Sequence, residues 1–457
     1  MGCQSVEEAV ELPVYPPRGN LRLMGWYRES DKRTRRVFWT CGAGWVMDAV
    51  DAQVYQYLIP LLIGSLGITL TEAGSIASAS YFSAAIGGWL GGWLCDRFGR
   101  ARILQLTILW FSVFSFASGF AQSYEQLLVI RVLHGLGFGA EWAVGAVLIG
   151  EMIAPQHRGK ALGIIQSGAP IGSGIAALLA GPVAAAFEPD IGWRVAFWVG
   201  LLPAALIFFI RKGSDDSDIF KAAKAHQQTR HSGPGLTAIF TTNRMLGITL
   251  LASMLSLGVQ GAAYSVANYL TTFMTQERGL TQSVASYCVL VNSIGGFFGC
   301  LINAYVSDRV GRRAVFRLFG IGFIITASIY LFGPWGGDIR ILIPVGMIYG
   351  FFQFGMYASF GPYFTELFPT ELRGSGQSFA YNSGRAGATI FIMSVPLLAG
   401  FIPLSAAMAT LGIVGIVCAL LPTMLLPETA GRTLLSLGDF ANAPASPNAA
   451  AEPKPAQ

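Results

Sequence analysis

The sequence predicts an all-α membrane protein, with twelve transmembrane helices in two pseudo-symmetric six-helix halves. Three observations carry this. Of the 457 residues, 53% are hydrophobic and only 12% are charged, where soluble globular chains carry about 25% charged residues. Apolar runs near the roughly 20 residues that cross a bilayer recur along almost the whole chain. Two separate motifs repeat between the halves at a near-constant offset. Backbone groups in lipid find no water to bond, so spans of this kind must be helices, and the 56 glycines suit close helix packing there.

The first six spans are expected at about 38–64, 72–94, 103–121, 126–152, 160–187 and 194–211. Six more follow a polar stretch, at about 245–275, 283–306, 314–333, 341–367, 374–400 and 403–426. This divides the chain into a cytoplasmic tail over 1–37, an N-terminal bundle over 38–212, a linker over 213–243, a C-terminal bundle over 244–433 and a tail over 434–457. The last is rich in Ala and Pro, lacks periodicity and reads as disordered. With both ends in the cytoplasm, 25 of the 30 Lys and Arg fall in tails and cytoplasmic loops, as the positive-inside rule demands of a cell-membrane protein. Arg194, Arg278 and Arg340 fall near outer loops, and Arg131 and Arg385 within spans.

Several classes are excluded. The net charge of +5 is accounted for by this asymmetry, so no nucleic-acid partner is expected. The cysteines (Cys3, Cys41, Cys95, Cys288, Cys300, Cys418) form no CxxC pair, which argues against a disulfide framework or a metal site. The start MGCQSV has Val6 where a myristoylation signal needs Ser or Thr. The first 36 residues are polar and mixed in charge, unlike a cleavable signal peptide. No Walker motif follows a strand-like run. No Ser-His-Asp set can be assembled outside the membrane, so neither an enzyme nor a cofactor is expected.

The repeat is explicit. GGWLCDRFGRAR follows the second span and NAYVSDRVGRR the eighth, placing Asp96 and Asp308 212 residues apart. GEMIAPQHRGKALG closes the fourth span and FTELFPTELRGSGQS the tenth; Glu151 and Glu366 are 215 apart, as are Arg158 and Arg373. A shared offset for two motifs marks duplication, and halves related in this way point to a transporter with its site between them, near the midplane.

These residues resemble the major facilitator superfamily over nearly the whole chain. Gly92, Asp96, Arg97, Gly99 and Arg100 match its loop motif; the second copy, Asp308, Arg309, Gly311 and Arg312, has Ala304 in place of the Gly. Arg131, Gly135, Gly137 and Gly139 are similar to its fourth-span pattern. The sets Glu151, Pro155, Arg158, Gly159 and Glu366, Pro369, Arg373, Gly374 resemble sugar-porter-like members, as does PETAGRTL from Pro427. The acid pair Asp48/Asp51 is similar to the D-x-x-D of aromatic-acid:proton symporters, although Val50 stands where that pattern has Gly. The run from Gly135 to Gly172 is similar to carboxylate and metabolite:proton symporters, and YNSGRAGA to both. The resemblance implies secondary transport of an organic acid with protons. It also implies a latch role for the loop motif, for which anchoring to anionic headgroups is the competing reading.

The residues themselves raise the same chemistry. Asp48 and Asp51 share a helix face, and Asp48 is roughly 16 Å into its span. A charge there costs about 2.5–3.5 kcal/mol on insertion scales, a cost that protonation removes; two acids this close titrate as a pair. The alternative is one acid that only bonds a neighbour. Arg131 cannot neutralise itself and needs an anionic partner, for which a first-span carboxylate is the natural candidate. His134 and Glu141 share its stripe, His134 as a proton relay or an interhelical bond, and Glu141 in gating or proton transfer. Arg385, flanked by Tyr381, Asn382 and Ser383, can grip a substrate carboxylate or a structural partner. Gln166, Gln260, Asn268, Asn292 and Gln353 are further polar candidates, each also explicable as interhelical bonding. Tyr357 and the other rings of span ten are packing or a stacking surface. The expected function is proton-coupled import of a small organic anion, aromatic or otherwise, by a monomer. A sugar or polyol porter, an exporter of amphipathic compounds and a non-transporting sensor are the rivals.

Overall fold

The computed structural model describes residues 27, 30–98, 100–152, 158–199, 201, 239–240, 242–369 and 372–430. The expected linker and C-terminal tail therefore lie outside the described residues, apart from 239–240 and 242–243. Among the described residues all regular structure is helical. The first half comprises α1 (Lys32–Leu66), α2 (Leu70–Phe98), α3 (Arg100–Ser118), α4 (Tyr124–Met152), α5 (Arg158–Gln166), α6 (Gly168–Leu178) and α7 (Pro189–Val199). The second comprises α8 (Asn243–Ala267), α9 (Leu270–Gln276), α10 (Gln282–Val310), α11 (Arg312–Phe332), α12 (Ile339–Ala358), α13 (Phe360–Leu367), α14 (Arg373–Ala399) and α15 (Leu404–Leu425). Helix falls on each expected span where residues are described, the fifth, seventh and tenth being broken in two; most of the expected sixth span, 194–211, lies outside the described residues. Six stretches among the described residues are long and apolar enough to cross a membrane by length and composition: Ala161–Val183, Asn243–Gln276, Gln282–Val310, Arg312–Phe332, Ile339–Leu367 and Leu404–Leu425. Large apolar side chains such as Leu106, Leu250, Ile390 and Val417 stand exposed on the outer surface, as lipid contact requires.

Local chemistry sets the helix ends. The Asp31 side chain caps α1 by accepting from the Thr34 amide at 2.9 Å, and the helix stops at Gly67, whose φ of 66° is left-handed. Thr69 and Glu72 form a reciprocal capping box on α2, at 2.7 and 3.1 Å. Where the fifth span passes Pro182, it relaxes into a π turn over Leu179–Val183, since proline removes a helical donor and crowds the preceding turn. Arg194 donates to the Gly119 and Ala121 carbonyls just beyond α3, at 3.0 and 2.7 Å. Arg278 donates to the Leu331 carbonyl near the end of α11, at 2.8 Å. Both cations thus occupy the favourable, negative end of a helix dipole.

Glycines bring α2 against α4: a methyl at Gly139 would strike the Ala84 carbonyl, and one at Gly87 the Leu136 carbonyl. The second half repeats this crossing between α10 and α12, where Gly295 faces the Met347 carbonyl and Gly350 that of Asn292. The halves meet mainly through α14 against α2 and α10 against α5 and α6. They touch at both ends. Towards the Gly67 end, Gln282 Nε2 donates to the Tyr57 and Ala180 carbonyls at 2.7 and 3.2 Å, and Gly74 abuts Tyr269 and Pro396. Towards the loop-motif end, Trp89 stacks on Phe379 at 6.0 Å and Gly163 faces Ala304.

Candidate functional site

α1 places Asp48 and Asp51 in the interior, 2% and 6% exposed. The Asp51 carboxylate is held from two neighbouring helices. Ser115 of α3 donates to its Oδ1, and His134 Nε2 of α4 meets its Oδ2. Arg131, one helical turn before His134, lies within electrostatic reach of Asp51, and its guanidinium rests over the Tyr55 ring at 5.1 Å. The Tyr55 hydroxyl donates to the Ala73 carbonyl at 2.8 Å, which fixes the face that Arg131 covers. The direct partner of Asp51 is therefore His134 and not Arg131. With both carboxylate oxygens engaged, Arg131 keeps Nε and Nη1 buried without a hydrogen-bond partner.

Arg131 and His134 line a small pocket walled by Tyr55, Gln56, Tyr81 and Phe138. Gln56 Nε2 donates to the Tyr81 hydroxyl. The Tyr81 ring stacks on Tyr264 of α8, with centroids 4.6 Å apart and planes 22° apart, so the two halves share this wall. His134 Nδ1 is buried without a partner, and its ring lies parallel to Phe138, 6.2 Å away.

Arg385 enters from α14, 2% exposed. Its guanidinium lies 5.2 Å from the centroids of both Phe138 and Tyr381, and its Nε and Nη1 have no hydrogen-bond partner. The hydroxyls of Tyr264, Tyr357, Tyr381 and Tyr81 all fall within its electrostatic reach. Phe138 of the first half and Arg385 of the second are thus in direct contact across the interface.

The other sequence candidates separate. Gln260 bonds Ser256 and the Tyr381 carbonyl at 2.6 and 3.0 Å and accepts from Tyr264, so it ties α8 to α14 beside Arg385. Asn382 donates to the Ser378 carbonyl at 3.0 Å and packs its amide on Gly88 of α2. Asn268 donates to the Tyr264 carbonyl of its own span, and Asn292 joins α10 to the Gly346 carbonyl of α12 at 2.9 Å. Tyr357 reaches the tyrosine cluster, with its hydroxyl buried and unpartnered. Gln353 is buried in α12, and Gln166 is half-buried where the fifth span breaks. Ser115, Tyr55, Gln56, Tyr81, Phe138 and Tyr264 were not foreseen. Tyr55 and Phe138 carried a signal, each lying four residues beyond Asp51 or His134 on the same helix face. Ser115 carried none.

The second loop motif forms a compact charge network. Arg312 meets Asp308 at 2.8 Å and Glu366 at 2.9 Å, and Thr429 donates to Glu366 at 2.6 Å. Glu428 accepts from the Arg312 and Arg313 amides at 2.8 and 3.1 Å. Arg309 reaches Tyr305 on its own helix, and Gly311 turns the chain with φ 103°. Of the remaining motif positions, Gly99 lies outside the described residues, Gly92 lies in α2, and the side chains of Asp96, Arg97, Arg100, Glu141, Glu151, Arg158 and Arg373 are not among those described.

Known proteins share this plan. The Major Facilitator Superfamily family model matches residues 42–392 and 254–449. A probable 4-methylmuconolactone transporter of Cupriavidus pinatubonensis is 39% identical over 428 residues, spanning 93% of this chain and 98% of its own. A cis,cis-muconate transport protein of Acinetobacter baylyi is 28% identical, spanning 84% and 92%. The Escherichia coli xylose transporter in a partially occluded inward-open conformation shares the fold, with a TM-score of 0.72 at 17% identity over 88% of this chain and 100% of that one. The chain is a membrane transporter and not an enzyme, and it belongs to the Major Facilitator Superfamily.

Proposed function

We propose that this transporter imports a small organic anion, an aromatic acid or another carboxylate, by proton symport through alternating access. The observation that carries the proposal is the buried Asp51–His134 pair at the wall of a pocket that Arg131 also lines. Ionised Asp51 ties α1 to α3 and α4. A proton on Asp51 weakens both the pairing with His134 and the attraction to Arg131, and so loosens these helices against one another. His134, whose Nδ1 is buried without a partner, relays the proton, and Arg385 takes the substrate carboxylate. The bodies that rock are those over 38–212 and 244–433. The Asp308–Arg312–Glu366–Glu428 network clasps the loop-motif end of the second, and the Asp96 motif latches the first, with Glu151, Arg158 and Arg373 as its counterparts. Both termini face the cytoplasm of the cell membrane, as the basic residues dictate, and one chain suffices. Relatives named for muconate and for 3-(3-hydroxy-phenyl)propionate transport support the substrate class.

A sugar or polyol porter is the second reading, favoured by the PETAG segment, whose Glu428 holds the α11 amides. Purified protein in liposomes carrying an internal pH dye separates the two. Muconate, hydroxyphenylpropionate or gallate added outside should acidify the lumen, and a protonophore should reduce accumulation to equilibration. Competition by glucose or xylose, with none from the acids, would replace the first reading by the second.

A further inference from the structure

Two buried guanidinium groups approach the centre from opposite halves, and both keep donors in hand. Nε and Nη1 of Arg131 and Nε and Nη1 of Arg385 are buried without hydrogen-bond partners, in side chains 3% and 2% exposed. A guanidinium keeps its charge throughout the biological pH range, and a buried cation without a full complement of acceptors is strongly unfavourable. Asp51 does not relieve Arg131 by contact, because its oxygens serve Ser115 and His134. Ring faces cushion both groups, Tyr55 under Arg131 and Phe138 and Tyr381 beside Arg385. Ring faces attract the charge but accept no hydrogen bond in their plane; the Tyr381 and Tyr264 hydroxyls bond the Arg385 guanidinium, and its Nε and Nη1 are left over.

Aromatic rings adjoin both cations. Tyr81 and Phe138 wall the pocket that Arg131 lines; Tyr81 is within electrostatic reach of both guanidiniums, and Phe138 touches Arg385. A monoacid that engaged Arg385 would leave the Arg131 donors unserved. Building on the organic-anion reading above, we infer that the preferred substrate is a planar dicarboxylate. One carboxylate bonds Arg131 and the other Arg385, and the conjugated body lies against Tyr81 and Phe138. Binding then joins the halves through the substrate itself, because each end is held by a different bundle.

Matched acids test this. The full-length protein in detergent is titrated calorimetrically with trans,trans-muconate against sorbate, which differ by one carboxylate on the same conjugated chain. Terephthalate against benzoate repeats the comparison on a ring. Each diacid should bind at least ~10-fold tighter than its monoacid, the scale of one charge-assisted contact. Arg131→Gln should bring each pair to within about 2-fold, chiefly by weakening the diacid, while Arg385→Gln weakens all four ligands by ~10-fold or more. Arg131→Lys, which keeps the charge but loses the planar donors, should recover only part of the preference. Equal affinity within the wild-type pairs overturns the inference without recourse to any variant, as does a preference that survives Arg131→Gln. If sorbate and benzoate enter liposomes with protons yet their diacids bind no tighter, only the dicarboxylate assignment falls. If none of the four binds, the organic-anion reading falls with it.

Discussion

Asp51 has both carboxylate oxygens committed to other helices, and in the symport reading proposed above its charge state sets how firmly α1 is held to α3 and α4. For one coupled proton, a step of one pH unit supplies about 1.4 kcal/mol, or ten-fold accumulation. Asp51→Asn should remove that gain, with the internal to external ratio near ~1 at the same pH step, while exchange of labelled for unlabelled substrate continues. Accumulation that persisted in Asp51→Asn liposomes would assign the proton elsewhere, Asp48 being the nearest acid on the same face. At this scale the sequence was informative about charge. Asp48, Asp51, Arg131, His134 and Arg385 stood out because ionisable groups in apolar spans are costly. Pairing was less legible: the expected Asp51–Arg131 contact became Asp51–His134, since Ser115 and His134 fill the two oxygens first.

At the scale of elements, close crossings and breaks do most of the positioning. The α2–α4 crossing presents Arg131 and His134 to α1, and it depends on the absence of side chains at Gly87 and Gly139. Gly139→Val places methyl groups against the Ala84 carbonyl, and overpacking of this kind costs about 1–3 kcal/mol or more. A marked fall in melting temperature and in folded yield is expected. Gly247→Ala, in α8 with nothing within 4 Å of the added methyl, should leave the melting temperature unchanged or raise it slightly, by up to ~1 kcal/mol of stability. Equal effects at the two positions, read by thermal denaturation in detergent, would refute the crossing as the source. The spans that break, at Ser167, Tyr269 and Ser359, all lie in helices touching the other half. α1 and α14 carry Asp48, Asp51, Gln53, Gln56, Asn382 and Arg385, which is why neither is among the most apolar stretches.

For the whole molecule, the halves touch at both ends of their interface among the described residues, so the alternating-access reading predicts that one end parts at a time. Gly163 and Ala304 lie opposite each other across the loop-motif end. Their replacement by Cys, in a chain with its native cysteines removed, meets the Cβ spacing of about 3.5–4.5 Å that a disulfide needs after a small shift. Oxidation should abolish uptake and reduction should restore it, as measured on the same liposome batch. Uptake that continues with the halves cross-linked there would exclude opening at that end.

The sequence by itself determined the all-helical membrane fold class and the identity of the ionisable groups. These follow from local quantities: apolar run length, the price of charge in lipid, and an offset shared by two motifs. Tertiary structure decided which groups meet. Ser115, Tyr81 and Tyr264 reach the centre only because their helices cross there, and no spacing along one helix encodes a neighbour on another. Gln260 and Asn292 were polar candidates beside Arg385 in the sequence; packing gave their amides partners and left the guanidinium with donors unused.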